Sequence, residues 1–394
     1  MVGSERRYQA FLDRRAAEGL RRSLLAVAVR DARTIGAEAG SYVNFSSNDY
    51  LGLRFNGALI DRSIAWARSY GSGSGASRLV TGNLDLFQPI EAKLARLKGK
   101  PAALIMASGF QANAAVLQAL LDRSVLGAEP LIFADRLNHA SMHFGCQAAG
   151  ARQIRYRHCD AAHLGKLLNH HQGDDRPKFI LTESVFSMDG DVAPLGDIAA
   201  LARSVDACLI VDDAHATGIL GQGGSGLSGE ADIVIGTFSK AFGSFGGFVA
   251  SSETVRDYLI NRCGGVIYST ALPPPVLGAI DAAIDIVPGM NAERAYVASL
   301  AVRFRTGANA AALNTGTSVT QIVPVILGTP EATLAMGKRL KQAGLWATSI
   351  RPPTVPPGAA RLRLAFTAAH HQADIDRLLE VLSARDARLR ARAV

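Results

Sequence analysis

The sequence predicts an α/β protein: a large, mainly parallel sheet domain covered on both faces, followed by a smaller C-terminal α/β domain. Three observations predict it. A chain of 394 residues exceeds the size at which one core keeps growing, so more than one domain is expected. Short β-rich runs at 131–134, 178–182, 207–211 and 232–235 alternate with Ala/Leu-rich stretches of helical character. Such alternation marks buried parallel strands with helical crossovers. After about Pro288 the texture changes to helix, strand at 321–327, helix at 331–343, strand at 361–366 and a last helix.

In chain order, residues 4–30 read as a helix whose apolar stripe is Phe11, Leu12, Leu20, Leu24 and Leu25. The expected division is an N-terminal helical arm over 1–45, a large domain over 46–287 and a small domain over 288–394. Apolar residues make up 48% and charged residues 19%, a composition that can bury a sizeable core. The formal charge is +8, with arginines gathered at the ends: Arg6, Arg7, Arg14, Arg15, Arg21 and Arg22, then Arg385, Arg388, Arg390 and Arg392. No basic stretch is interleaved with aromatics, which argues against nucleic acid; a small anionic substrate suits the bias better. Cys146, Cys159, Cys208 and Cys263 lie far apart without a C-x-x-C pair, so neither a metal site nor a disulfide framework is expected. The N-terminus lacks an apolar signal core, and no apolar run is long enough for a bilayer. The expected location is the cytoplasm, with no membrane partner.

Ligands of open parallel sheets sit beyond the carboxyl ends of the strands. Three such ends are rich in polar groups: Glu183, Ser184 and Ser187; Asp212, Asp213 and His215; Thr237, Ser239 and Lys240. Taken singly, an aspartate there is a helix cap, a turn lysine is solvated and a histidine is structural. Together they fit pyridoxal 5'-phosphate, which needs a lysine for a Schiff base, an acid for its pyridine nitrogen and donors for its phosphate.

The motif Asp212-Asp213-Ala214-His215-Ala216-Thr217-Gly218, with Thr237-Phe238-Ser239-Lys240-Ala241-Phe242-Gly243, closely resembles the α-oxoamine synthases, fold-type I pyridoxal-phosphate transferases. Ser47-Asn48-Asp49-Tyr50-Leu51-Gly52-Leu53, Gly73-Ser74-Gly75-Ala76-Ser77-Arg78, Asp135-Arg136-Leu137-Asn138-His139-Ala140-Ser141 and Phe186-Ser187-Met188-Asp189-Gly190 match the same pattern, so the resemblance covers almost the whole chain. A mild departure is Ala216, where glycine or serine is common.

The resemblance implies roles. Lys240 holds the cofactor and moves the substrate proton, Asp212 pairs with the pyridinium nitrogen and His139 stacks on the ring. These three form the expected catalytic set. His215 bonds near the phenolic oxygen, Ser108, Gly109 and Phe110 open a helix at the phosphate, and Ser187 and Thr237 add cofactor contacts. Ser269 and Thr270 reach the phosphate of a neighbouring subunit, which implies a homodimer with shared active sites. Asn48 and His139 are expected to touch substrate as well.

Within the family, Ile350-Arg351-Pro352-Pro353-Thr354-Val355-Pro356, Arg361-Leu362-Arg363-Leu364 and Ala16-Ala17-Glu18-Gly19-Leu20-Arg21-Arg22 are most similar to members that condense L-alanine with a pimeloyl thioester. Arg21 and Thr354 then belong to the acyl-substrate site, and Arg363 clamps the amino acid's carboxylate, a task for its planar fork. The acyl carrier is coenzyme A or an acyl carrier protein. Members using glycine, serine or another acyl donor are the alternative. A catalytically silent subunit would not need Lys240, and a nucleotide-binding module would need a P-loop lysine that the 71–75 run lacks.

Overall fold

The computed structural model describes residues 2–38 and 40–384, so Arg385, Arg388, Arg390 and Arg392 lie outside the described residues. The chain divides into two compact units: one is Asn48–Ser187 with Asp191–Ala295, the other the chain up to Ser47, Met188–Gly190 and the chain from Tyr296 onward.

The first unit is built on a seven-stranded sheet. Its strands run in the order Ala102–Met106, Gly247–Ser251, Ile233–Thr237, Ala207–Asp212, Lys178–Glu183, Leu131–Asp135 and Gln153–Tyr156. Five adjacent strands from Ile233–Thr237 to Gln153–Tyr156 pair in parallel, and Gly247–Ser251 runs against both its neighbours. Most strand residues are buried because helices cover both faces, which is why these strands read as continuous apolar runs. One core cluster joins Leu104, Ile132, Leu181, Ile210, Ile235 and Val249 to Ala112, Val116 and Leu120 of the helix Gly109–Leu120.

The reversed strand has a tight start. A side chain at Gly247 would collide with the Ser108 carbonyl, so glycine lets this strand begin against the turn that opens the helix Gly109–Leu120.

The second unit holds a three-stranded antiparallel sheet, Ile322–Gly328, Ala360–Ala365 and Thr348–Ile350, and a four-stranded sheet, Val27–Val29, Thr34–Ala37, Gly40–Asn44 and Leu345–Trp346. Phe45, Leu300, Phe304, Val323, Leu362, Leu364, Phe366 and Leu378 form its core. Since Leu362 and Leu364 face that core, the period of two puts Arg361 and Arg363 together on the other face of their strand.

The N-terminal helix differs from expectation. It ends at Ala17 rather than near Arg30, and the residues following it include the strand Val27–Val29. Gly19 takes φ +65°, and the N–H groups of Gly19 and Leu20 turn back to Ala16 and Arg15. A left-handed glycine closing the last carbonyls is an effective helix stop. The expected stripe is not buried either: Phe11, Leu12, Leu24 and Leu25 are exposed. No helix among the described residues is long and apolar enough to cross a membrane.

Candidate functional site

Asp212 is the last residue of the strand Ala207–Asp212 and is buried. Its Oδ1 accepts from the N–H of Ala214 at 2.9 Å and its Oδ2 from Asn113 at 2.6 Å. Asn113 comes from the second turn of the helix Gly109–Leu120, and its amide also donates to Ser141 at 3.0 Å. The Ser141 hydroxyl lies 2.6 Å from His139 Nδ1, which also accepts the Ser141 N–H at 3.3 Å. An Nδ1 that accepts leaves the proton on Nε2. Burial holds His139 below its ordinary pKa despite the Asp212 charge, so the ring is neutral near pH 7.

Lys240 sits on the loop between Thr237 and Gly247, between the buried rings of Phe238 and Phe242 in sequence. Thr237 Oγ1 donates to the Gly246 carbonyl at 2.6 Å and accepts the Ser239 N–H at 3.1 Å, which closes that loop. Lys240 Nζ lies 2.8 Å from His215 Nε2, and His215 Nδ1 lies 2.6 Å from the hydroxyl of the fully buried Tyr50. Tyr50 in turn donates to Asn48 Oδ1 at 3.2 Å. One proton arrangement satisfies the row: the Lys240 ammonium donates to Nε2, Nδ1–H donates to Tyr50, and Tyr50 donates to Asn48.

Two further carboxylates flank Asp212. Glu183 pairs with it in register on the neighbouring strand. Burial, and then the Asp212 charge, push Glu183 well above its ordinary value. Asp213 instead meets Lys98 Nζ at 2.6 Å, both side chains being almost wholly buried. Lys98 Nζ also donates to Thr217 Oγ1 at 3.0 Å. Gly226, at φ +88°, passes so close that any side chain there would strike the Asp213 carboxylate. Asp213 is thereby committed to Lys98, whereas Asp212 is held by Asn113 and the Ala214 N–H.

Ser108 caps the helix Gly109–Leu120 by accepting the Gln111 N–H at 3.1 Å, and the first amides of such a helix favour an anion. A Cβ on Gly109 would sit 3.2 Å from the Thr237 Cβ, so glycine keeps this turn against the strand end. Phe110 is half exposed and packs edge-on to His139 with ring centroids 6.4 Å apart. Ser187 follows the buried Val185 and Phe186. Ser269 and Thr270 lie outside these networks: Thr270 bridges to Ser77, beside which Ala271 donates to the Ala76 carbonyl.

In the other unit, Arg21, Arg22, Arg351 and Thr354 line a cleft of about 470 Å³, where Arg22 donates to Thr354 Oγ1 at 2.8 Å. The bond between Pro352 and Pro353 is cis. Arg363 is buried, and its neighbour Arg361 pairs with Asp189. Sequence reasoning assigned no role to Asn113, Ser141, Tyr50 or Arg22. Tyr50 stood inside a recognised motif, and Asn113 is the single polar residue on the apolar side of its helix.

The residues suit pyridoxal phosphate: an amine beside an imidazole, a carboxylate held by two donors for a ring nitrogen, and a helix start for a phosphate. Comparison with known proteins agrees. The aminotransferase class I and II model matches residues 41–382. The 8-amino-7-oxononanoate synthase of Gluconacetobacter diazotrophicus is 52% identical over 380 residues, covering 95% of this chain and 96% of that protein. Among solved structures, one described as SPT with PLP internal aldimine has TM-score 0.87 at 28% identity, covering 97% of this chain and 96% of that one. The 8-amino-7-oxononanoate synthase of Francisella tularensis has TM-score 0.76 at 27% identity, covering 90% and 99%.

Fold and site define a fold-type I enzyme that uses pyridoxal 5'-phosphate. The two TM-scores rank backbone likeness at nearly equal identity, whereas the 52% relative carries a specific name. The chain belongs to the class I and II aminotransferase family and, within it, to the 8-amino-7-oxononanoate synthases, which are pyridoxal-phosphate-dependent acyltransferases.

Proposed function

We propose that the enzyme condenses L-alanine with a pimeloyl thioester, releasing CO₂, the free thiol and 8-amino-7-oxononanoate for biotin biosynthesis. The observation that carries the substrate side is the cleft in which Arg21, Arg22 and Arg351 surround Thr354. A cationic cleft suits an acyl chain that ends in a carboxylate, and the name of the 52%-identical relative supports the same reading.

The cofactor supplies a Schiff-base carbon and an electron-accepting ring. Lys240 holds it, then takes the α-proton of alanine on Nζ and later returns it; base catalysis of this type is worth about 10²–10⁴-fold. Asp212, braced by Asn113 and the Ala214 N–H, keeps a proton on the ring nitrogen. His139 would cover one face of the ring and His215 would lie in hydrogen-bonding position near its phenolic oxygen. Ser108, Gly109, Phe110, Ser187 and Thr237 complete the cofactor contacts, joined by Ser269 and Thr270 from a second copy in a homodimer. Asn48 and His139 contact substrate, Arg363 clamps the alanine carboxylate, and Arg21 and Thr354 hold the acyl chain, carried by coenzyme A or an acyl carrier protein. A cytoplasmic location is part of this proposal.

The test is a product assay read by mass, offering alanine, glycine or serine with pimeloyl or acetyl thioesters. Alanine with the pimeloyl donor should dominate. Faster turnover of glycine with the acetyl donor would overturn the substrate reading.

A further inference from the structure

His158 lies outside the residues discussed so far, yet both its ring nitrogens face buried carboxylates. Nδ1 is 3.0 Å from Asp135 Oδ1 and Nε2 is 2.9 Å from Asp191 Oδ2. Ionised carboxylates only accept, so each nitrogen must donate and the ring is an imidazolium. Burial opposes the charge, but Asp135 and Asp191 outweigh it and push His158 up to about 12. Asp135, His158 and Cys159 also stand at metal-ligand spacing. A metal, however, needs a nitrogen lone pair, and both nitrogens here point at acceptors.

The two carboxylates belong to two different loops. Asp135 ends the strand Leu131–Asp135 and organises the turn after it. Its Oδ1 accepts the Leu137 N–H at 2.9 Å, its carbonyl accepts the Asn138 N–H at 3.2 Å, and Asn138 reaches the Leu181 carbonyl at 2.9 Å. The next residue is His139. Asp191 closes the loop over 184–193: its carbonyl accepts the Phe186 N–H at 3.1 Å, Val185 bridges Val192, and Ala193 donates to the Ser184 carbonyl at 3.1 Å. That loop carries Ser187. The Phe186 ring stands edge-on to the His158 ring with centroids 4.3 Å apart.

We infer that His158 is a positioning residue: a doubly hydrogen-bonded strut that fixes the turn delivering His139 and the loop carrying Ser187 to one another. Its consequence is the orientation of the cofactor ring, which rests on the reading that His139 and Ser187 contact that ring. A glutamine in its place has no charge and cannot balance two buried carboxylates.

The test uses the full chain as His158→Gln, with His139→Ala as reference. Three quantities are measured: the Kd for pyridoxal phosphate added to apoprotein, the visible circular dichroism of the saturated protein, and the urea midpoint of the apoprotein. His158→Gln is expected to raise Kd about tenfold or more and to weaken the dichroic band, the scale of losing a hydrogen bond to a charged group. A lower urea midpoint with Kd and band unchanged makes His158 merely structural and overturns the inference. If His139→Ala shifts the band and His158→Gln does not, the His139 reading stands and the strut alone falls. If neither shifts it, both fall. Should His158→Gln not fold, Asp191→Asn, which keeps an acceptor toward Nε2, is read by the same criteria and expected to shift Kd and band in the same direction by less.

Discussion

The side-chain amide of Asn113 donates to Asp212 at 2.6 Å and, with the hydrogen bond to Ser141, ties the carboxylate at one strand end to the histidine at another. Asn113→Ala removes a donor from a buried carboxylate. Hydrogen bonds to charged groups are worth about 1.5–3 kcal/mol. The expected result is a lower urea midpoint and weaker pyridoxal-phosphate binding, both by titration of the purified variant.

Lys98 and Asp213 form a buried pair, their side chains 1% and 0% exposed. Removing one partner strands the other charge, a cost of about 3–5 kcal/mol. Lys98→Met should therefore destabilise strongly in urea unfolding. Adding Asp213→Asn should recover much of the loss; no recovery would mean that Lys98 contributes by packing alone.

His370 supplies a pH dependence. It is buried, its Nδ1 accepts the Thr367 N–H at 3.0 Å, and its ring stacks on Phe45 at 4.5 Å. Burial lowers it to about 4 from an ordinary 6.5. The fold favours the neutral ring, so this stability is fully present above the unfolded value and is lost as pH falls from there toward the folded one. The swing is about 3 kcal/mol. Urea midpoints should drop as pH falls from about 6.5 to about 4, and His370→Asn should flatten that drop.

Lys240→Ala should bind the cofactor without the visible Schiff-base absorption and should lose turnover. An unchanged spectrum with normal turnover would remove Lys240 from its assigned place.

The strands Lys178–Glu183, Ala207–Asp212 and Ile233–Thr237 were legible because a strand buried on both faces is a continuous apolar run. The length of the first helix was not. Its periodicity continues past Gly19, and only the left-handed backbone there reveals the stop. Reversed pairing of Gly247–Ser251 was equally hidden, since a five-residue apolar run does not encode its direction. Near the candidate site, residues with intrinsic chemistry such as Lys240 and Asp212 stood out by type. Asn113 did not: its meaning comes from Asp212, 99 residues away in sequence, and no local pattern announces such a partner. Arg22 reads as one more terminal arginine until Thr354 is placed beside it.

Gly247 has a consequence for how such an enzyme can diverge. Because its strand runs backwards, the chain must enter the sheet at a point already filled by the backbone of Ser108 and Gly109. Around Arg21, Arg22 and Thr354, side chains can be exchanged one at a time, each altering the cleft a little. Position 247 offers no such intermediate steps, because even a methyl group meets main chain that cannot swing aside. On the proposed reading of the cleft as the acyl site, acyl preference can change there by single substitutions, while the helix start beside Gly247 is held by main chain.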